Sequence, residues 1–303
     1  MIDFQKITPA DAPKLRQFLL SCNVRSCEYS LANLFMWGRQ RFAFLKGFLV
    51  LFSQFDRRSI YPFPLGHGDV KPVLDGLIQD ARDRGLLFRL SAMTQGECDL
   101  LESLYPGQFQ FHEDRNSCDY IYRIEDLASL KGKRYQSKRN FANRFRLTHP
   151  DCLTLPLDER TEAAAWEMLQ TWFAQRAAAD PLADFHLEQR ALERAFAHRQ
   201  ELGLEGLVLI EDGKVLAMTM GSLLSENTFD IHFEKALDGI DGAYAAINQA
   251  FATHLQEAYP QLEFLNREDD MGIPGLRKAK LSYHPDHLAE KHWAKLWEEE
   301  DAR

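Results

Sequence analysis

No stretch constrains the fold of this chain more than GLVLIEDGKVLAMTMGSLLSENTFDIHFEKA, residues 206–236. It reads as three strands, because turn-forming residues interrupt it at Glu211-Asp212-Gly213 and at Ser225-Glu226-Asn227. The segment AYAAINQAFATHLQEA that follows sets Tyr244, Ile247, Phe251 and Leu255 on one helical stripe. LEFLN (262–266) then reads as a buried strand. Two helices precede the strands, TEAAAWEMLQTWFAQRAAA and LEQRALERAFAHRQELG, and the tail LAEKHWAKLWEEE reads as a further, amphipathic helix.

The order helix–helix–strand–strand–strand–helix–strand–helix is similar to that of GNAT-type acyltransferases, in which a mixed sheet is splayed and the acyl donor inserts in the splay. The first half shows a looser version. IDFQKIT is a short strand, Pro9 to Cys22 a helix, EYSLANLFMW a second, aromatic helix, and RFAFLKGFLVLFSQF two strands that turn at Lys46-Gly47. VKPVLDGLIQDARDRG is a helix stopped at Gly85, and Thr94 with Glu97 forms a capping-box pattern at the head of another. At 303 residues the chain suits two domains. The expectation is a mixed α/β chain with two tandem GNAT-type domains: residues 1–130, a basic connecting helix over 131–150, and residues 151–303 carrying the site.

An apolar fraction of 45% and a charged fraction of 27% are those of an ordinary soluble protein. The N-terminus has no signal-peptide core, and the longest apolar run, FLVLF, is far short of the roughly 20 residues that span a bilayer. A cytoplasmic protein without stable membrane insertion is expected. The five cysteines are scattered and form no CxxC pair, so zinc and disulfide readings are both poor. The net charge of −9 hides an asymmetry: residues 1–150 hold 22 basic against 16 acidic side chains, and the remainder 14 against 29.

The basic excess concentrates in KGKRYQSKRNFANRFR, where Lys131, Lys133, Arg134, Lys138, Arg139, Arg144 and Arg146 stand without one acid. Cations interleaved with Tyr135, Phe141 and Phe145 suit phosphate contact and base stacking, or else a solvated helix that packs its apolar stripe between domains. In TFDIHFEKA, alternation sends Phe229, Ile231 and Phe233 to the core and Asp230, His232 and Glu234 to the other face, where one of the three could act as general base. The helix that opens at Asp241-Gly242-Ala243-Tyr244 lacks the repeated glycines and leading basic residue with which acetyltransferases cradle a coenzyme A pyrophosphate. Asn248 and Gln249 are amides on that helix.

LNREDDMGIPGLRKAKLSYHP (265–285) follows the buried strand at its carboxyl end, where α/β sites lie. Arg267 can hold a carboxylate or phosphate bidentately, and Glu268 and Asp269 can bind an ammonium. Lys278 and Lys280 are spaced to share a strand face. The bland alternative is a salt-bridged surface bend.

These blocks resemble the C-terminal catalytic region of phosphatidylglycerol lysyltransferases, through DYIYRIEDLASLKGKRYQSKRNFANRF, HFEKA…GAYAAINQAF and LNREDDMGIPGLRKAKLSYHP. The resemblance implies a tandem GNAT-type fold and, for membrane-anchored members, transfer of lysine from aminoacyl-tRNA to a lipid hydroxyl. No metal and no tightly bound cofactor are expected; aminoacyl-tRNA or acyl-CoA would serve as co-substrate. His232, Glu234, Arg267, Glu268, Asp269 and Lys278 are the candidate catalytic residues. Lys131, Lys133, Arg134, Lys138, Arg139, Asn248, Lys280 and Tyr283 are the candidate contacts to tRNA or an anionic acyl donor. The chain lacks the multi-span domain of the membrane-anchored members, so a soluble amine or hydroxyl acceptor competes with a lipid. Three readings stay open: an aminoacyl-tRNA-dependent transferase, an acyl-CoA-dependent N-acyltransferase, and a non-catalytic protein that binds an anion or RNA.

Overall fold

A computed structural model of the chain describes residues 1–55, 58–180 and 184–297. The first half supplies strands β1 (Gln5–Lys6), β2 (Arg41–Leu45), β3 (Phe48–Phe55), β4 (Arg58–Pro62), β5 (Arg89–Met93), β6 (Phe109–Glu113) and β7 (Asp119–Arg123). The second supplies β8 (Leu153–Pro156), β9 (Leu204–Glu211), β10 (Lys214–Ser225), β11 (Thr228–Ala236), β12 (Phe264–Asn266), β13 (His287–Ala289) and β14 (His292–Leu296). The helices are α1 (Ala12–Cys22), α2 (Leu31–Met36), α3 (Lys71–Asp83), α4 (Gln95–Leu104), α5 (Ile124–Ser129), α6 (Gln136–Thr148), α7 (Glu162–Ala179), α8 (His186–Ala197), α9 (Arg199–Leu202), α10 (Ala243–Ala258) and α11 (Pro274–Leu281).

The local signals hold where the turn or cap is itself local. Lys46 and Gly47, and Asp212 and Gly213, take positive φ between paired strands. Thr94 caps α4 and bonds reciprocally with Glu97. The strands form two seven-stranded sheets, in the orders β1-β2-β3-β4-β5-β14-β6 and β13-β7-β12-β11-β10-β9-β8. Among the described residues each sheet has a single parallel pair, β4–β5 and β11–β12, joined through helices α3 and α10. The fold is thus two tandem GNAT-type units, read from the alternation of strands and helices.

Two strands cross between the units. β7, from the first half, lies between β12 and β13; β14, from the tail, lies between β5 and β6. A boundary at residues 131–150 therefore separates the sequence but not the sheets. The tail is a correction to the helix expected over LAEKHWAKLWEEE: its described part forms β13 and β14, and residues 298–300 lie outside the described residues. In β14 Ala294 and Leu296 alternate inward onto the first core, a period of two that the open slot between β5 and β6 selects. Tyr244 is a smaller correction. It is 40% exposed and bonds Trp172 Nε1 at 3.3 Å, while Ile247, Phe251 and Leu255 fill the core.

Three apolar cores result. One lies under α3 and α4, a second under α5 and α10, and the third is shared. The shared core packs Leu15, Leu19, Leu34 and Met36 against Leu169, Trp172, Leu192 and Met220, so the two units meet through a common interior. No helix among the described residues is long and apolar enough to cross a membrane.

Candidate functional site

The site forms where the parallel pair comes apart. β11 and β12 are in register at Thr228–Phe264, Phe229–Leu265 and Asp230–Asn266, and then separate. β11 runs on to Ala236 against β10, while the chain after Asn266 bends away. Glu268 makes the bend with φ 56, a left-handed conformation that costs a residue with a Cβ about 1–3 kcal/mol. Asn266 Oδ1 holds it by accepting from Glu268 N at 2.7 Å.

β11 carries a bulge at this point. Ile231 pairs with Gly221 and Phe233 with Met220, so His232 is an extra residue. The alternation expected over 228–236 is reversed there. Phe229 and Ile231 enter the core under α10, whereas Phe233 enters the shared core. Asp230, His232 and Glu234 therefore do not line one face. Asp230 and His232 turn towards α2, and Glu234 turns towards α10. Gly221 permits this, since a Cβ there would lie 2.1 Å from the Asp230 carbonyl oxygen.

Consecutive residues of the bend reach the two sides. Arg267 Nη2 donates to Glu234 Oε1 at 2.8 Å, and Asn248 Nδ2 donates to Glu234 Oε2 at 3.0 Å. The Arg267 guanidinium lies over the rings of Tyr283 (4.8 Å) and Tyr122 (5.5 Å), and Lys138 Nζ lies 3.9 Å from the Tyr283 ring centre. Burial, then the neighbouring Arg267, lowers the Lys138 pKa; burial and Arg267 lower that of Lys280 likewise. Lys280 Nζ donates to the carbonyls of Arg267 and Glu268 and clamps the bend. Two buried polar atoms in this compartment have no partner: Arg267 Nη1 and Asn248 Oδ1.

The other compartment is acidic. His232 Nδ1 lies 3.0 Å from Glu268 Oε1 and 3.5 Å from Asp230 Oδ2, and Ser222 Oγ lies 2.8 Å from His232 Nε2. Asn33 Nδ2 of α2 donates to Glu268 Oε1 at 2.8 Å. Asp230 is fully buried, and neither carboxylate oxygen accepts a hydrogen bond. Burial, with Glu268 and Asp119 nearby, pushes its pKa well above the usual carboxylate range. Burial, with Asp119 among the neighbouring acids, also raises Asp269 to about 6 against the counter-effect of Lys291.

Among the described residues two groups of side chains have metal-ligand composition: Asp230–His232–Glu268 and Cys27–Glu28–Asp119. The second already holds a cation, the buried Lys291 ammonium, 2.7 Å from Asp119 Oδ1 and 2.6 Å from Glu28 Oε2.

Asp270 belongs to the scaffold. It is fully buried and accepts from Arg277 (2.8 and 2.9 Å), Tyr120 and Gly272 N (2.9 Å), and the Arg277 bonds hold its pKa far below the usual range.

Other expected residues lie elsewhere. Lys278 and Lys280 are on helix α11, not on a strand, two residues and more than half a turn apart; Lys278 is exposed on the surface, away from the bend that Lys280 clamps. In the basic segment only Lys138 reaches the site. Arg134 pairs with Asp126 at 2.7 Å, Arg144 pairs with Asp241, and Arg139 donates to the carbonyls of Leu130 and Gly132. Lys131 and Lys133 are exposed. Sequence reasoning missed Asn33, Asp119, Ser222 and Lys291. Asp119 alone left a signal, an acid heading the apolar strand DYIYR.

The model of the phosphatidylglycerol lysyltransferase C-terminal family matches residues 21–295. The chain belongs to this family. A conserved protein of unknown function from Bacteroides thetaiotaomicron has a solved structure that is 40% identical, with a TM-score of 0.91 over 98% of this chain and 100% of that one. The C-terminal domain of a putative lysylphosphatidylglycerol synthetase from Agrobacterium fabrum is 15% identical, with a TM-score of 0.69 over 97% and 95%. A tandem GNAT protein from the clavulanic acid biosynthesis pathway is 8% identical, with a TM-score of 0.50 over 96% and 97%. At those lower identities the likeness is one of fold.

Proposed function

We propose that this member of the lysyltransferase family is a cytoplasmic transferase that moves an aminoacyl group from aminoacyl-tRNA to an amine or hydroxyl acceptor. One observation carries the reading: inside the splay, Arg267 Nη1 and Asn248 Oδ1 are buried and unpartnered beside a compartment rich in carboxylates. An aminoacyl ester would complement Arg267 and the carboxylates. Its carbonyl oxygen, which becomes an oxyanion during attack, would take the free Arg267 donor. Its ammonium would face Glu268. Asp269, partly exposed and raised to about 6, has the proton affinity of a general base for an attacking amine or hydroxyl. The ester is already activated, so the protein need only orient two substrates and stabilise charge.

The start of α10 gives an acyl-CoA donor less support. Gly242 stands at its N-cap with φ 83, and a Cβ there would meet the Phe141 carbonyl oxygen at 2.1 Å. Helix α6 thus packs on the helix end where a pyrophosphate would need open N–H groups.

The test is single-turnover incubation with tRNA charged with labelled amino acid, beside calorimetry with coenzyme A. The expected result is protein-dependent loss of label from charged tRNA and no heat from coenzyme A. Binding of coenzyme A without charged tRNA would transfer the reading to an acyl-CoA donor. Binding of neither would leave an anion-binding protein.

A further inference from the structure

We propose that Asp230, His232 and Glu268 bind one divalent transition-metal ion of zinc(II) or manganese(II) type. The donor atoms of the three residues all lie within 4.8 Å of one another. Bonds of about 2.0–2.2 Å from a central ion put donors roughly 3–4.4 Å apart, so the cluster closes round an ion with small side-chain shifts. One imidazole nitrogen and two carboxylates form a donor set of borderline hardness, suited to zinc or manganese.

The burial of Asp230 is a separate observation that points to a cation there. Asp230 is fully buried with both oxygens unpartnered, next to the cluster's other members. A carboxylate in that position requires a cation or a proton. A proton alone leaves the cluster in conflict. If Asp230 keeps it and donates a hydrogen bond to His232 Nδ1, Nδ1 is the unprotonated nitrogen and cannot donate to Glu268 Oε1, 3.0 Å away. If Nδ1 keeps its own proton for Glu268, Asp230 is left without an acceptor. An ion in the middle removes the conflict, because Nδ1 and both carboxylates would all present lone pairs to it.

The surroundings already hold the ligands as a metal site requires. His232 Nε2 is 2.8 Å from Ser222 Oγ, and Glu268 Oε1 accepts from Asn33 Nδ2 at 2.8 Å. Such outer contacts set the imidazole tautomer and the carboxylate orientation. The neighbouring Cys27–Glu28–Asp119 group shows the alternative solution, in which the Lys291 ammonium occupies the equivalent position. Lys291 lies close enough to act on Asp230 through space, but among the described residues no lysine or arginine forms an ion pair or hydrogen bond with it. The ion would tie β11 to the bend after β12 and fix Glu268 at the mouth of the splay. This inference shares Glu268 with the aminoacyl-transfer reading, in which that carboxylate faces the donor ammonium; ion binding is measured without charged tRNA, so either reading can fail alone.

The test is calorimetry of the full chain, stripped with chelator, titrated with zinc chloride and with manganese chloride. One ion per chain at micromolar affinity or tighter is expected. Asp230→Asn and His232→Ala should each weaken binding at least tenfold. Ser222→Ala should weaken it about tenfold, as loss of an outer-shell partner does. His149→Ala, remote from the cluster, should leave it unchanged. A readout that needs no variant is the visible spectrum of the cobalt(II)-loaded wild type, which should show ligand-field bands that zinc abolishes. Absence of saturable binding by folded wild type at millimolar metal would overturn the site, as would undiminished binding in a folded Asp230→Asn protein. Saturable binding of L-lysine amide that Asp230→Asn abolishes, in protein that binds no metal, would assign the pocket to an ammonium instead.

Discussion

The two parallel strand pairs occupy equivalent places in the two units and are furnished in opposite ways. In the first, Tyr61 and Pro62 of β4 pair with Leu90 and Ser91 of β5. The chain beyond β4 then stays closed: Phe63 N donates to the Ser91 carbonyl at 3.0 Å, and Leu65 exchanges backbone hydrogen bonds with Leu49. Tyr61, Phe63, Leu65 and Leu90 are buried in apolar packing. In the second, the pair opens after Asp230 and Asn266, and the opening is lined with charge. The two pairs share a topology, but only the second leaves buried polar groups in need of partners. The first pair is closed by apolar packing, and the second holds the candidate site.

The sharpest test substitutes one residue in each pair. Phe63→Ala removes a core ring and should cost about 3–5 kcal/mol of stability, while activity per folded molecule persists. Arg267→Lys keeps the positive charge but removes a donor; transfer should fall about 10²–10³-fold, with stability nearly kept. Denaturant midpoints and single-turnover rates on both proteins decide the matter. A large loss of transfer in folded Phe63→Ala protein would mean that the first pair also serves the reaction.

A second contrast lies within the site. Asp270 and Asp230 are equally buried, yet one is fully partnered and the other not. Asp270→Asn leaves Arg277 without its carboxylate and removes a charge-assisted acceptor from Tyr120 and Gly272 N, so it should lower the denaturant midpoint clearly. Asp230→Asn in chelator-treated protein should leave stability within about 1 kcal/mol of wild type or raise it, since it replaces a buried carboxyl neither of whose oxygens accepts a hydrogen bond. Equal losses in the two variants would show that Asp230 has a structural partner after all.

The pH dependence separates them further. Asp270 has a lowered pKa, so its stabilisation is complete above the ordinary aspartate value and is lost as pH falls through its folded value. Asp269 is raised from 3.8 to about 6, so the folded state binds the extra proton and stability falls as pH rises between those values. Asp269→Asn should flatten that interval in urea titrations followed from pH 4 to 6. A carboxyl carbon shift of Asp269 with its midpoint near 4 would contradict the burial of this group.

How much of this was legible in the sequence follows from the range of each interaction. The hairpins of 206–236, the Thr94 cap and the α10 stripe rest on neighbours a few residues apart, and they were read correctly apart from Tyr244. The bulge at His232 was not, because only pairing with Gly221 and Met220 reveals it, and it sends Glu234 to the side opposite His232. The exchange of β7 and β14 was invisible for the same reason: a strand's slot depends on edges supplied more than 100 residues away. The sequence singled out Arg267, Glu268 and Asp269 by their crowding. It could not separate Asp270, whose partners Arg115 and Tyr120 lie 155 and 150 residues distant.

The smallest expected effect concerns the basic segment, where the structure divides what composition had pooled. Arg134, Arg139 and Arg144 are held by protein partners, Lys138 faces the Tyr283 ring, and Lys131 and Lys133 stand exposed. Their replacement by alanine should weaken tRNA binding modestly and uniformly across tRNA species. Each should reduce the slope of log affinity against log salt by less than about 1, the value for one released counterion. Lys138→Ala should act differently. It removes a cation beside Arg267 and Glu234, so it should slow transfer more than it changes the salt slope. If all three substitutions shift the slope alike and leave the transfer step untouched, Lys138 belongs to the outer surface with the other two, and the charged splay ends at Arg267.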